Sequence, residues 1–121
     1  MKHEELKPLN ILSGIYSPFN RFNGSVVFCN NLYEEMIEKG CTVNFIGLNT
    51  SDLMETRMKL TLMEGNLTGE ADTPAFNKAV EDMKGAFLHI LNNKPVDIVH
   101  CQHLTFPPAV ALSSMNFEQP L

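Results

Sequence analysis

The sequence predicts an α/β protein with a doubly wound, mainly parallel sheet and helices on both faces of that sheet. Short apolar runs of strand length alternate with amphipathic helical segments along the chain. The first strand, helix and second strand together take about forty residues, the length of one strand-helix-strand unit. The total of 121 residues suits a single core. Because each helix returns the chain to the same end of the sheet, the strands are expected to be parallel.

The first strand-helix pair is predicted in the N-terminal third of the chain. The apolar run Leu9–Ile15 has the length of a strand, and the turn-forming residues that follow it, up to Gly24, predict a loop. Ser25 is the expected N-cap of the next helix, and Gly40 is its expected stop. The predicted buried face of this helix comprises Val26, Cys29, Leu32, Tyr33, Met36 and Ile37.

Further strands and helices follow in alternation. Thr42–Ile46 is β-branched and aromatic and predicts the second strand, whereas residues 47–73 are ambiguous, with a short strand or hairpin favoured near Met58. Thr73 and Pro74 open a second helix that ends before Pro95. Its predicted buried face comprises Phe76, Ala79, Val80, Met83, Phe87, Ile90 and Leu91.

The last predicted strand is Val96–Cys101, and we expect it beside the first strand. A third helix is expected over Ala109–Met115. The sequence ends at Leu121, where a further strand should begin, so we expect that it is part of a longer protein.

Composition excludes several classes of function. The chain is 44% hydrophobic and 19% charged, as in globular proteins, and its net charge of −5 has the wrong sign for a nucleic-acid surface. No apolar run approaches membrane-spanning length and the N-terminus is polar, so a cytoplasmic location is expected. Three widely spaced cysteines without a C-x-x-C pair suggest neither a disulfide framework nor a zinc ribbon. No metal and no cofactor are expected.

Two loops are the candidate ligand-binding segments. Ligands of open parallel sheets bind beyond the carboxyl ends of the strands, where the loops holding Gly24 and His103 should face each other. A glycine just before a helix allows backbone amides to approach an anion, although turn geometry alone explains such a glycine equally well. The sequence lacks the patterns G-x-G-x-x-G and G-x-x-x-x-G-K-[ST], which argues against standard dinucleotide and nucleoside-triphosphate sites.

Two histidines and a cysteine lie at the end of the last predicted strand. We expect His100 to sit at the edge of the core, hydrogen-bonded to backbone, and His103 to lie in the following loop as the better functional candidate. A zinc site using both histidines and Cys101 is disfavoured because neighbouring strand residues point to opposite faces. Cys101 is more plausibly a buried small hydrophobe than a nucleophile.

These segments resemble a known family. The loop ending in Asn23-Gly24-Ser25, the helix end Glu38-Lys39-Gly40-Cys41-Thr42-Val43 and the run from Lys94-Pro95-Val96-Asp97 to His103 are similar to the N-terminal domain of retaining GT-B glycosyltransferases of family 4. The resemblance covers residues 9–121, and its most specific part is Pro95 to His103, in which a strand containing His100 is followed by a second histidine.

The resemblance implies one half of a two-domain enzyme. In that family two Rossmann-like domains face each other; the N-terminal one mainly holds the acceptor and the C-terminal one most of the nucleotide-sugar donor. By this match residues 1–121 are the acceptor-side domain without its donor domain, and are expected to be inactive alone. The intact enzyme would have both substrates as partners, and peripheral membrane association is common in such enzymes.

Residue roles follow from the same resemblance. Gly24 matches the second glycine of a loop near the donor diphosphate, with Asn23 in place of the first glycine and Ser25 after it. His103 matches the catalytic-site histidine near the transferred sugar, and His100 belongs to the same donor-binding region.

Two alternatives to the enzyme remain open. The chain could be a non-catalytic α/β binding module of the flavodoxin-like or receiver-like kind, because fold does not fix function. No acidic cluster follows the first strand, which argues against a receiver, and no hydroxyl-rich first loop is present, which argues against a flavodoxin. The chain could also be a partner subunit that completes its site by association. Exposed apolar edges of such a sheet would favour self-association.

Overall fold

A computed structural model describes residues 8–65 and 73–100 and confirms the α/β fold class. The described residues form a four-stranded sheet in the order β3-β2-β1-β4, in which every neighbouring pair is parallel. The elements along the chain are β1 (Asn10–Pro18), α1 (Gly24–Glu38), β2 (Thr42–Leu48), β3 (Lys59–Met63), α2 (Pro74–Asn93) and β4 (Ile98–His100).

The strand β1 is the centre of the sheet and carries the core on both of its faces. Ile11 lies opposite Val43 of β2 and Ile98 of β4, which confirms that the last described strand lies beside the first. Side chains alternate along β1, so Ile11 packs with α1 on one face while Leu12 packs with α2 on the other. The two helices therefore cover opposite faces of the sheet, as predicted.

The helix α2 packs closely over the centre of the sheet. All six residues of its predicted face from Phe76 to Ile90 are buried, and Leu91 is partly buried. At Gly14 of β1, a Cβ atom would lie 3.1 Å from Met83 Cε and 3.2 Å from the Ile46 carbonyl oxygen. A side chain at this position would require the end of the Met83 side chain and the neighbouring β2 residue Ile46 to shift by a few tenths of an ångström, so glycine permits this close packing.

The short strand favoured near Met58 is present as β3, which lies parallel beside β2, so the strand alternative is confirmed. Three details differ from the predictions. β1 continues into the predicted loop as far as Pro18, because Tyr16 is buried against the α2 side of the core and Pro18 pairs with Leu48 of β2. Leu32, assigned to the buried face of α1, is 37% exposed. The helix α1 begins at Gly24, two residues earlier than a Ser25 cap would place its start.

The end of α1 follows the prediction. Gly40 has φ of 95°, a conformation that favours glycine, and it lies just after the C-cap Lys39. The third predicted helix and Cys101 lie outside the described residues.

Candidate functional site

The loop between β1 and α1 leads directly into a capped helix. Asn23 is the N-cap of α1, and its Oδ1 accepts hydrogen bonds from the amides of Ser25 (3.1 Å) and Val26 (3.3 Å). The prediction that Ser25 caps this helix was wrong by two residues. The first amides of a helix have no hydrogen-bond partner within the helix, and the Asn23 side chain accepts hydrogen bonds from two of them. A cap at Ser25 would have started the helix two residues later.

Gly24 occupies the first position of α1 and is exposed. A Cβ atom built on Gly24 would have no heavy atom within 4 Å outside its immediate chain neighbours. Its φ is not in the left-handed region that favours glycine. Neither packing within the described residues nor backbone conformation therefore requires a glycine at this position.

An open cleft lies beside this loop at the carboxyl edge of the sheet. Leu53 forms an antiparallel bridge with Asn20, and the Met54 amide donates to the Phe19 carbonyl oxygen at 3.0 Å. The loops after β1 and β2 are thereby joined, and they enclose about 570 Å³. We call this space the edge cleft; its lining residues are Arg21, Ser51, Asp52, Leu53, Met54 and Glu55.

A polar network fixes the loop that forms one wall of the edge cleft. Arg57 Nε donates to Glu34 Oε1 at 2.5 Å and its Nη1 donates to Glu38 Oε1 at 3.2 Å, while Thr56 Oγ1 donates to Asn30 Oδ1 at 2.6 Å. Hydrogen bonds from the Arg57 amide and guanidinium lower the pKa of the Glu34 carboxyl. The loop after β2 is thus held against α1 by charged groups at its exposed surface.

His100 lies at the other side of β1, at the end of β4. Its Nδ1 is 2.5 Å from the Oη of Tyr33, and that Oη is 2.8 Å from the Oγ of Ser13. The expected backbone hydrogen bond of His100 was wrong: its partner is a side chain of α1. Because His100 pairs with Ser13 in the sheet, both side chains point to the face covered by α1, where Tyr33 lies.

The predicted site residues do not all come together. Asn23, Gly24 and Ser25 form the first turn of α1, whereas the Tyr33 contact of His100 is nine residues further along that helix. At 1.5 Å per residue this separation is about 13.5 Å. His103 lies outside the described residues, so its predicted place beside Gly24 stays a prediction.

The residues of the edge cleft and the hydroxyl groups beside His100 are not among the predicted site residues. No pattern marks Arg21, Asp52 and Glu55, because two loops bring them together from separate parts of the chain. A weak pattern did mark the hydroxyl pair: Ser13 interrupts an apolar strand, and Tyr33 lies on the buried face of a helix. A buried tyrosine hydroxyl normally has a hydrogen-bond partner.

Comparisons with protein families, with curated proteins and with solved structures find no match to this chain. Among residues 8–65 and 73–100, no cluster of three or more histidine, cysteine or acidic side chains is arranged to hold a metal ion. Neither of the two described helices has the length and apolar character needed to cross a bilayer.

Proposed function

We propose that this chain is the acceptor-side domain of a glycosyltransferase that moves a sugar from a nucleotide-sugar donor to an acceptor. The observation that carries the proposal is the edge cleft, which opens at the carboxyl edge of a parallel sheet beside the loop that precedes α1. Ligands of such sheets bind outside the carboxyl ends of the strands. The edge cleft lies there, beyond β1 and β2 and next to the point between β1 and β4 where the strand order reverses. The cleft offers one guanidinium and two carboxylates, which are suitable hydrogen-bonding groups for a polyhydroxylated acceptor.

Gly24 supports the donor side of the proposal. Its exposed position at the start of α1 has no contact that a Cβ atom would disturb. A ligand that a second domain holds close to this backbone would explain why the position is a glycine. The family resemblance, which assigns this loop to the donor diphosphate, is consistent with that role.

One observation favours the alternative of a non-catalytic binding module. The Asn23 side chain already accepts hydrogen bonds from the amides of Ser25 and Val26, two of the groups that would otherwise bind a phosphate. A diphosphate would have to use the Gly24 amide or displace the cap. In the glycosyltransferase this helix terminus would bind the donor diphosphate, whereas in the binding module it would bind no anion.

Substitution of Gly24 tests the donor role in the complete two-domain protein. Gly24→Ala should keep or slightly raise the melting temperature. Alanine lowers the conformational entropy of the unfolded chain, which stabilises the folded state by about 0.4–1 kcal/mol. Gly24→Val should lower the rate of sugar transfer further than Gly24→Ala, because its branched side chain blocks backbone approach. Parallel losses of stability and activity would contradict the donor role.

His103→Ala tests the catalytic assignment in the same protein. We expect kcat to fall on the order of 10²-fold, the effect of removing one preorganised contact to the transition state. The melting temperature should change little. His89→Ala, at an exposed position of α2, is the matched control and should change neither kcat nor the melting temperature. His100→Ala should lower the melting temperature because the ring contacts Tyr33. Wild-type turnover by the His103 variant would remove the best residue of the glycosyltransferase proposal.

A further inference from the structure

The loop between β2 and β3 is attached to its surroundings on both sides of the edge cleft. Towards the loop after β1, the Met54 amide donates to the Phe19 carbonyl oxygen at 3.0 Å. Towards α1, the attachment is made at Arg57, two residues beyond the segment 51–55 that lines the cleft. The attachment at Arg57 therefore lies directly beside the cleft wall.

Glu34 makes this attachment to α1. Its carboxylate accepts a hydrogen bond from the Arg57 amide at 2.9 Å and another from Arg57 Nε at 2.5 Å, and its carbonyl oxygen accepts one from Nη2 at 3.2 Å. Glu34 thus binds both the backbone and the side chain of Arg57. Glu38 pairs with the same guanidinium, at 3.2 Å from Nη1, but within the described residues it makes no hydrogen bond to the loop backbone.

The Glu34 side chain is also better shielded from water than that of Glu38. The two side chains are 25% and 70% exposed, respectively. Ion pairs between exposed charges add little to the stability of a whole fold. A hydrogen bond from a backbone amide to a carboxylate is different, because it fixes the path of the chain and is stronger than a bond between neutral groups. The contact with Glu34 is therefore suited to hold the loop locally.

We propose that Glu34 is a positioning residue of the edge cleft: its hydrogen bond with the Arg57 amide fixes the backbone of residues 51–57 in the shape that forms the cleft wall. Asp52 and Glu55, the two carboxylates offered to an acceptor, lie on this segment. Glu34 does not line the cleft itself, so it acts on a ligand only through the loop. The effect on acceptor binding rests on the proposed function, whereas the position of the loop does not.

Amide hydrogen exchange in the 121-residue chain, followed by NMR, tests this role without any ligand. In Glu34→Ala the amides of Arg57 and Met54 should exchange on the order of tenfold faster, the change expected for the loss of one hydrogen bond to a charged group. Amides of the central strand β1 should keep their protection. Met54 is the informative amide, because its partner is Phe19 and not Glu34 and it responds only if the whole cleft wall is released.

Glu38→Ala is the matched control. It removes the same charge from the same helix and the same guanidinium but no bond to the loop backbone, so exchange at Arg57 and Met54 should remain as in the wild type. Glu34→Gln separates the acceptor from the charge, because its side-chain oxygen can still accept the Arg57 N–H. It should show a smaller acceleration than Glu34→Ala, and its comparison with Glu38→Gln carries the test if the alanine variant fails to fold.

Unchanged exchange of the Met54 amide in the Glu34 variants, or an equal acceleration in the Glu38 variants, would overturn the proposal. In the complete two-domain protein, Glu34→Ala should raise KM for the acceptor and leave kcat nearly unchanged, because a displaced wall weakens binding but moves no reacting group. A released loop in a protein that transfers no sugar would contradict the proposed function and leave the positioning role of Glu34 intact.

Discussion

At the scale of single residues, the two described cysteines have different surroundings. Cys29 lies on the buried face of α1 and is 1% exposed, whereas Cys41 is half-buried between α1 and β2. Burial raises the pKa of the Cys29 thiol to about 11. Because thiolates are the reactive form, Cys29 should be inert and Cys41 should react first.

Alkylation followed by peptide mass spectrometry checks this difference. In native protein at neutral pH, iodoacetamide should label Cys41 and leave Cys29 unmodified, and both should react after unfolding. The neutral Cys29 thiol favours the folded state below the ordinary thiol pKa, and this contribution is lost as pH rises through about 11. Labelling of Cys29 at the same rate as Cys41 in the native protein would contradict its burial.

At the scale of elements, the start of α1 depends on its cap. Asn23 Oδ1 accepts hydrogen bonds from two amides of the first turn, and the Val27 amide donates to the Asn23 carbonyl oxygen at 3.0 Å. The helix thus begins at a defined residue beside the edge cleft. By comparison, the Arg57–Glu34 ion pair lies at the surface and is expected to contribute little.

Asn23→Ala should lower the free energy of unfolding by about 1 kcal/mol, because it leaves the amides of the first turn without the cap oxygen. Urea denaturation followed by circular dichroism measures the change. Asn31→Ala, an exposed position within the same helix, is the matched control and should leave stability unchanged or slightly raised. Equal effects of the two substitutions would show that the cap does not stabilise the fold.

At the scale of the whole molecule, apolar groups remain exposed on the described surface. Phe22 is 72% exposed next to the edge cleft and Phe28 is 59% exposed on α1. Among the strands of residues 8–65 and 73–100, β3 and β4 are at the two edges of the sheet and each has one neighbour. Exposed aromatic side chains and unpaired strand edges promote association between chains.

We predict that the 121-residue chain self-associates reversibly as its concentration rises. Sedimentation velocity should show a concentration-dependent increase in average mass, and Phe22→Ser with Phe28→Ser should reduce it. Leu88→Ser, at a 41% exposed position of α2, is the control and should have a smaller effect. A monomer at every concentration tested would show that these surfaces do not mediate association.

Much of the fold could be predicted because the patterns involved are local. The α2 face from Phe76 to Ile90 repeats every three or four residues, and a helix with this pattern buries that face on any sheet. Gly40 ends α1 through its own backbone conformation. Local preference failed at residues 16–18, where burial of Tyr16 and pairing of Pro18 with Leu48 outweigh the preference for a turn.

The candidate site was less predictable because its groups come from distant segments. The sequence by itself determined the class of fold, the alternation of its elements and Gly40 as the residue that ends α1. Only the tertiary structure decided that Asn23 caps α1, that loops 51–55 and 20–21 enclose a cleft, and that Tyr33 bridges Ser13 and His100. A periodic pattern depends on residues that are neighbours along the chain. A cleft, or a hydrogen bond between distant side chains, depends on contacts that only parallel strand pairing and helix packing create.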